Sequence, residues 1–153
     1  MSSLITDLEP WTQTKCHELL ARWEAAMHPP FRVTHTRRTL DEQLHLWMQG
    51  RKLVNGIWGV IEPRLVVTKA KPGESPHNYG AAFDICFVGP DPYLHAYEVE
   101  HHKPDPLWQV IGQLGTDLGL NWGGPLGDGD RFTWDSPHFE NPNWKALRGA
   151  HDV

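Results

Sequence analysis

The sequence predicts an α+β fold, a small and mainly antiparallel sheet with about three packed helices. Three observations predict it. Apolar residues recur at helical spacing over residues 8–23, 40–48 and 107–118. Short stretches of strand character separate them, at 31–35, 81–88 and 120–122. The 153 residues contain no internal repeat and no linker, so the chain suits one domain, 1–153, around one core.

In chain order, Asp7 is positioned to cap a first helix, with Pro10 tolerated in its first turn. Leu8, Trp11, Cys16, Leu19 and Trp23 form its apolar face, and His28-Pro29-Pro30 ends it. Residues 31–35 alternate as a strand. Thr39 and Glu42 make the capping box of a second helix, whose apolar face is Leu40, Leu44, Trp47 and Met48. Residues 51–80 read as mostly irregular, rich in Gly and Pro, with a short strand within 61–67. Residues 81–88 are a strand with Phe83, Ile85 and Phe87 on one face and Ala82, Asp84 and Cys86 on the other. A polar loop leads to Asp105, which caps a third helix with Pro106 at its first position. Its stripe is Leu107, Val110, Ile111, Leu114 and Leu118, and Gly119 stops it. Leu120-Asn121-Trp122 is a further strand. Strand pieces at 132–134 and 138–140 flank a break at Ser136-Pro137.

Composition narrows the function. Hydrophobic residues make up 39% and charged residues 22%, which excludes wholesale disorder. The net charge is −5 and no run of basic residues marks a nucleic-acid or polybasic membrane surface. No apolar stretch approaches the roughly 20 residues that cross a bilayer, so no membrane insertion is expected. The N-terminus lacks the basic and apolar regions of a signal peptide, which points to a product made in the cytoplasm. Two cysteines allow one bridge at most and fit two buried thiols. Ten histidines raise the odds of a metal site.

Two segments carry the chemistry. In Ser75-Pro76-His77-Asn78-Tyr79-Gly80-Ala81-Ala82-Phe83-Asp84, His77 lies in the loop entering a strand and Asp84 inside it. A carboxylate there needs a partner, and a metal supplies one. Imidazole plus carboxylate suits Zn²⁺. In Trp134-Asp135-Ser136-Pro137-His138-Phe139-Glu140, His138 can be the third ligand. Three protein ligands leave a fourth position to water, whose pKa zinc lowers to about 7. A carboxylate must then move that proton. Asp135 is the chosen base, brought beside His138 by the Ser-Pro break, with Glu140 as fallback.

These motifs resemble the VanY/VanX-type zinc D-Ala-D-Ala peptidase superfamily. Ser75, His77, Gly80, Ala82 and Asp84 match its first motif, and Asp135 and His138 its second. Thr36-Arg37-Arg38-Thr39, Glu42-Gln43, Gln49-Gly50-Arg51 and residues 119–124 extend the likeness over about 31–140. The resemblance implies a hedgehog/DD-peptidase-like fold with the site on the sheet face. It implies one zinc ion on His77, Asp84 and His138, Asp135 as base, and Arg38 as the cation that holds or polarises the substrate carbonyl. Arg38 can also serve a surface ion pair with Asp41 or Glu42. Asp135 followed by Ser-Pro-His-Phe is most like phage L-alanyl-D-glutamate endolysins. The expected function is therefore hydrolysis of the L-Ala–D-Glu bond in the peptidoglycan stem peptide. The expected form is a monomer without a cell-wall-binding module, released to the wall by a holin. A D-Ala-D-Ala carboxypeptidase or dipeptidase and an inactive zinc-binding domain are the alternatives. His101-His102 reads as a solvated pair, residues 127–130 as an acidic turn, and His35 as a marginal neighbour of the site.

Overall fold

The computed structural model describes residues 1–96, 105–124 and 135–151. The expected strand piece at 132–134, the acidic turn at 127–130 and the His101-His102 pair lie outside them.

A 3-10 turn, Ile5–Asp7, precedes helix α1, Pro10–Ala25. Glu9 is its cap, in place of Asp7. The Glu9 carboxylate accepts from the Trp11 and Thr12 backbone N–H groups at 3.0 and 2.8 Å, while Asp7 accepts the Ser2 hydroxyl. Strand β1 is Phe31–His35, and helix α2, Leu40–Met48, begins with the expected Thr39/Glu42 box. The segment expected to be irregular holds a hairpin, β2 (Arg51–Val54) paired with β3 (Ile57–Val60). A 3-10 turn, Pro63–Leu65, stands where a strand was expected. Strand β4, Ala82–Phe87, follows the 3-10 turn Pro76–Tyr79. Helix α3, Pro106–Asp117, starts on an Asp105 cap as expected. Strands β5 (Asn121–Trp122) and β6 (His138–Glu140) lead to a fourth helix, α4 (Trp144–His151), one more than the sequence reading contained.

The main sheet has the order β1-β4-β6-β5, and each neighbouring pair is antiparallel. On one face of β4, Phe83, Ile85 and Phe87 join Cys16, Leu19 and Trp23 of α1 and Trp108 and Ile111 of α3 in the core. Phe83 stacks on Phe139 of β6 with centroids 5.5 Å apart. Both cysteines are buried free thiols. The α1 face is buried as expected at Leu8, Cys16, Leu19 and Trp23, but on α2 Gln43 and Trp47 are buried while Leu40, Leu44 and Met48, expected on the apolar face, are exposed. Thr12 is buried while Trp11 is exposed, and Trp108 is buried while Val110 is exposed. Trp108 can go inside because its indole N–H donates to the Tyr93 carbonyl at 2.9 Å. α3 lies close to the sheet because Gly112 and Gly115 face it. A Cβ at Gly112 would stand 2.3 Å from the Trp122 ring, and one at Gly115 2.5 Å from Phe139.

Candidate metal centre

The core-forming alternation of β4 places Asp84 on the face opposite Phe83 and Ile85. Strand register then supplies its neighbours: Asp84 is paired with His138 on β6 and with His35 on β1. His77 comes from the 3-10 turn just before β4. That turn is tied to the chain after β1, since Arg38 N–H donates to the His77 carbonyl at 3.0 Å and the Asn78 amide donates to the Arg38 carbonyl at 3.1 Å. Gly80 lets the chain leave the turn at φ 65°, where a Cβ would meet the Asp7 carbonyl oxygen at 2.7 Å.

His77, Asp84 and His138 each offer a donor atom, and these atoms lie within 4.8 Å of one another. Asp84 Oδ1 is 3.4 Å from His77 Nε2 and 2.9 Å from His138 Nδ1. Donors placed about 2.0–2.1 Å from a tetrahedral zinc ion stand roughly 3.3 Å apart. The donor set, two imidazoles and a carboxylate, therefore fits zinc in chemistry and in spacing.

Neighbours orient both rings. His77 Nδ1 is 2.7 Å from the Thr36 carbonyl, which can only accept, so Nδ1 carries a proton and Nε2 is the nitrogen turned toward the site. His138 faces two carboxylates, Asp84 at Nδ1 and Glu140 at Nε2, each at 2.9 Å. Burial disfavours its charge, but these two hydrogen bonds prevail and lift its pKa from 6.5 to about 10 in the metal-free protein. Burial likewise pushes Asp84 upward. The charge of His77 and the hydrogen bonds from His138, His35 and His77 outweigh it and hold Asp84 well below the usual carboxylate range.

The three residues line a cleft of about 740 Å³ together with His35, Arg38, Asp135 and Glu140. Asp135 and His138 reach the same cleft through a tight turn. The Asp135 carbonyl accepts the His138 N–H at 3.0 Å, and the Asp135 N–H donates to Gly123 at 3.0 Å. The Arg38 guanidinium donates to the Gln43 amide oxygen at 2.9 Å. Its Nε is buried with no hydrogen-bond partner among the described residues. Glu42 pairs with the N-terminal ammonium, and among the described residues Arg38 makes no ion pair. Burial lowers the Arg38 pKa against the pull of Asp84 and Glu42.

Sequence reasoning underweighted two neighbours. His35 Nδ1 lies 3.5 Å from Asp84 Oδ2; the β1–β4 register puts it there, and no sequence pattern announces that register. Glu140 is placed to orient His138 by their shared strand face, a parity visible in the sequence. His17 and His45 are exposed, away from the site.

Comparison with known proteins agrees with this picture. A family model described as D-alanyl-D-alanine carboxypeptidase matches residues 68–141, the segment holding both motifs. The peptidoglycan L-alanyl-D-glutamate endopeptidase CwlK of Bacillus subtilis (strain 168) is 34% identical over 113 residues, 71% of this chain. The chain spans 58% of that relative's length. Among solved structures, the vancomycin-resistance D,D-pentapeptidase VanY in complex with Zn(II) aligns with a TM-score of 0.54 at 15% identity, over 95% of this chain and 79% of its own. The Serratia marcescens L-Ala D-Glu endopeptidase ChiX aligns with a TM-score of 0.53 at 15% identity, over 94% of this chain and 86% of its own. In its motifs and its fold the chain is similar to these peptidases: the family model takes in residues 75–84 and 135–138, and the solved structures, at 15% identity, share the fold.

Proposed function

We propose that the chain is a zinc-dependent peptidoglycan endopeptidase that hydrolyses the L-Ala–D-Glu bond of the stem peptide. The observation that carries this reading is the convergence of His77, Asp84 and His138 at the wall of a cleft that Asp135 and Arg38 also line. The likeness to CwlK supports the choice of bond. His77, through Nε2, Asp84 and His138, through Nδ1, would hold the ion. Zinc bound there would polarise the scissile carbonyl and acidify a water.

The chain's own residues do the rest. The Thr36 carbonyl and the Glu140 carboxylate keep one N–H on each ring and so aim the opposite nitrogen inward. Asp135 receives the proton from water and returns it to the leaving amine, a role of about 10²–10⁴-fold in rate. The Arg38 guanidinium, at the wall of the cleft, is a charged donor for the substrate carbonyl. The reading as a phage lysis enzyme rests on Asp135-Ser-Pro-His-Phe, the pattern of the endolysin branch.

Mass spectrometry of a digested muropeptide tests the bond. New termini at L-Ala and D-Glu are expected. Release of free D-Ala instead would favour the carboxypeptidase activity by which the family model is described.

A further inference from the structure

The β2–β3 hairpin is left uncovered by the rest of the fold. Val54 and Ile57 are a cross-strand pair on either side of the Asn55-Gly56 turn, and they are 54% and 73% exposed. Leu53 and Val60, on the other face, are half exposed as well. One face and the base are anchored: Trp58, opposite Leu53, packs edge-on against Trp47 of α2 at 5.3 Å, and Arg51 lies over the same ring at 4.8 Å. The chain after β3 returns to this base. Ile61 N–H donates to the Gly50 carbonyl at 2.9 Å, and Arg51 donates to the Thr68 carbonyl at 3.1 Å. That returning stretch exposes Ile61 and Leu65 too. A two-stranded hairpin whose open face presents Val54 and Ile57, with Leu53 and Val60 half exposed at the other, has little reason to stay folded in water alone.

The same stretch is basic. Residues 51–71 hold five Lys or Arg and one Glu, a net +4 in a chain of net −5. Lys52, Arg64 and Lys69 are exposed and have no ion-pair partner among the described residues. A scan for a run of basic residues passes over them because they are interleaved with Val, Ile and Leu.

We propose that this hairpin docks on the surface of an anionic lipid bilayer, with Val54 and Ile57 in the acyl boundary and Lys52, Arg64 and Lys69 at the phosphates. Charge selects this occupant. A second copy meeting the hairpin about a two-fold axis would bring +4 against +4. A glycan strand offers sugars and peptide but no hydrocarbon for Val, Ile and Leu side chains. No helix among the described residues is long and apolar enough to cross a membrane, so the attachment is interfacial. Val67 and Thr68, at the end of the same stretch, line the cleft, so docking sets the cleft beside the bilayer.

Co-sedimentation of the whole chain with vesicles tests this at low salt. Vesicles of equal parts phosphatidylcholine and phosphatidylglycerol are compared with phosphatidylcholine alone. Binding to the anionic vesicles at least tenfold tighter, and weakened by added salt, is expected. Each basic side chain near such a surface is worth about fivefold, so Lys52→Gln, Arg64→Gln and Lys69→Gln together lower the affinity about a hundredfold. Val54→Ser with Ile57→Ser lowers it at least tenfold. All these positions are exposed, and circular dichroism verifies that the variants stay folded. Failure to bind, or equal binding to neutral and anionic vesicles, overturns the proposal. So does retention by purified peptidoglycan alone that these variants abolish, or a dimer in light scattering that Val54→Ser with Ile57→Ser dissolves.

Discussion

Raising the pH of the chelator-treated protein from 7 to 9 is expected to destabilise it by about 3 kcal/mol through His138 alone. In the folded, metal-free state both ring nitrogens of His138 face carboxylates at 2.9 Å, and its pKa stands at about 10 against 6.5 unperturbed. Between those values the native state holds one proton more than the unfolded chain, so stability falls by about 1.4 kcal/mol per pH unit. The contribution is complete below the unfolded pKa and is gone once the pH passes the folded one. Two other shifted groups bracket the window. Asp84 is lowered, so its contribution is present above 3.8 and is lost only toward acid. Burial pushes the Cys16 thiol from 9.0 to about 12, so its contribution begins to fall only above pH 9. Urea denaturation followed by far-UV circular dichroism at three pH values measures the slope, with His138→Gln as control. Zinc-loaded protein is expected to lack the slope, because the metal takes the place of the Nδ1 proton. An equal slope in His138→Gln, or none in the wild type, would refute the reasoning.

Three further perturbations probe other links. Glu140→Gln keeps the side chain's size but weakens the acceptor at His138 Nε2, and zinc affinity should drop about 10–100-fold; competition with a chromophoric chelator measures it. Gly112→Ala drives a methyl to within 2.3 Å of the Trp122 ring. The helix-propensity gain of about 1 kcal/mol is then outweighed by overpacking, and a net loss of roughly 1–2 kcal/mol is expected by calorimetry. Phe83→Ala removes a fully buried ring stacked on Phe139, and about 3–5 kcal/mol of stability should go with it in a urea titration.

The parts of the fold that were legible are those with local causes. Strand β1 was foreseen residue for residue, and the Thr39/Glu42 box opens α2 as expected. β4 was foreseen to within a residue at each end, because alternation along a strand has only two phases. The stripe on α3 holds at Ile111 and Leu118, with Leu107 and Leu114 packed against the core, but Val110 is exposed and Trp108 takes its place inside. The glycines of α3 read as weak points in a helix, whereas the fold uses Gly112 and Gly115 as the flat side that admits Trp122 and Phe139. The β2–β3 hairpin carried its own sign, Asn55-Gly56 between apolar pairs with φ of 51° and 77°. Counting Gly and Pro across 51–80 hid it. Helix α4 is short and has no long apolar repeat to mark it, although Asn143 stands just before its first residue.

For the site, His77 and Asp84 are close in sequence, and a single motif reveals them. His138 lies 54 residues beyond Asp84, and only the β4–β6 register brings the two together. Nothing short of that pairing, or the family resemblance, could have joined them. The place of Asp135 follows from a turn of three residues and was accessible from the Ser-Pro break.

Zinc content across a small set of variants tests the central claim most directly. Elemental analysis after gel filtration should find one zinc per chain in the wild type and in an Asp135→Asn variant that has lost hydrolysis. His77→Ala, Asp84→Ala and His138→Ala should be folded and empty of metal. Zinc retained in any of those three, or lost in Asp135→Asn, would contradict the assignment of ligands and base.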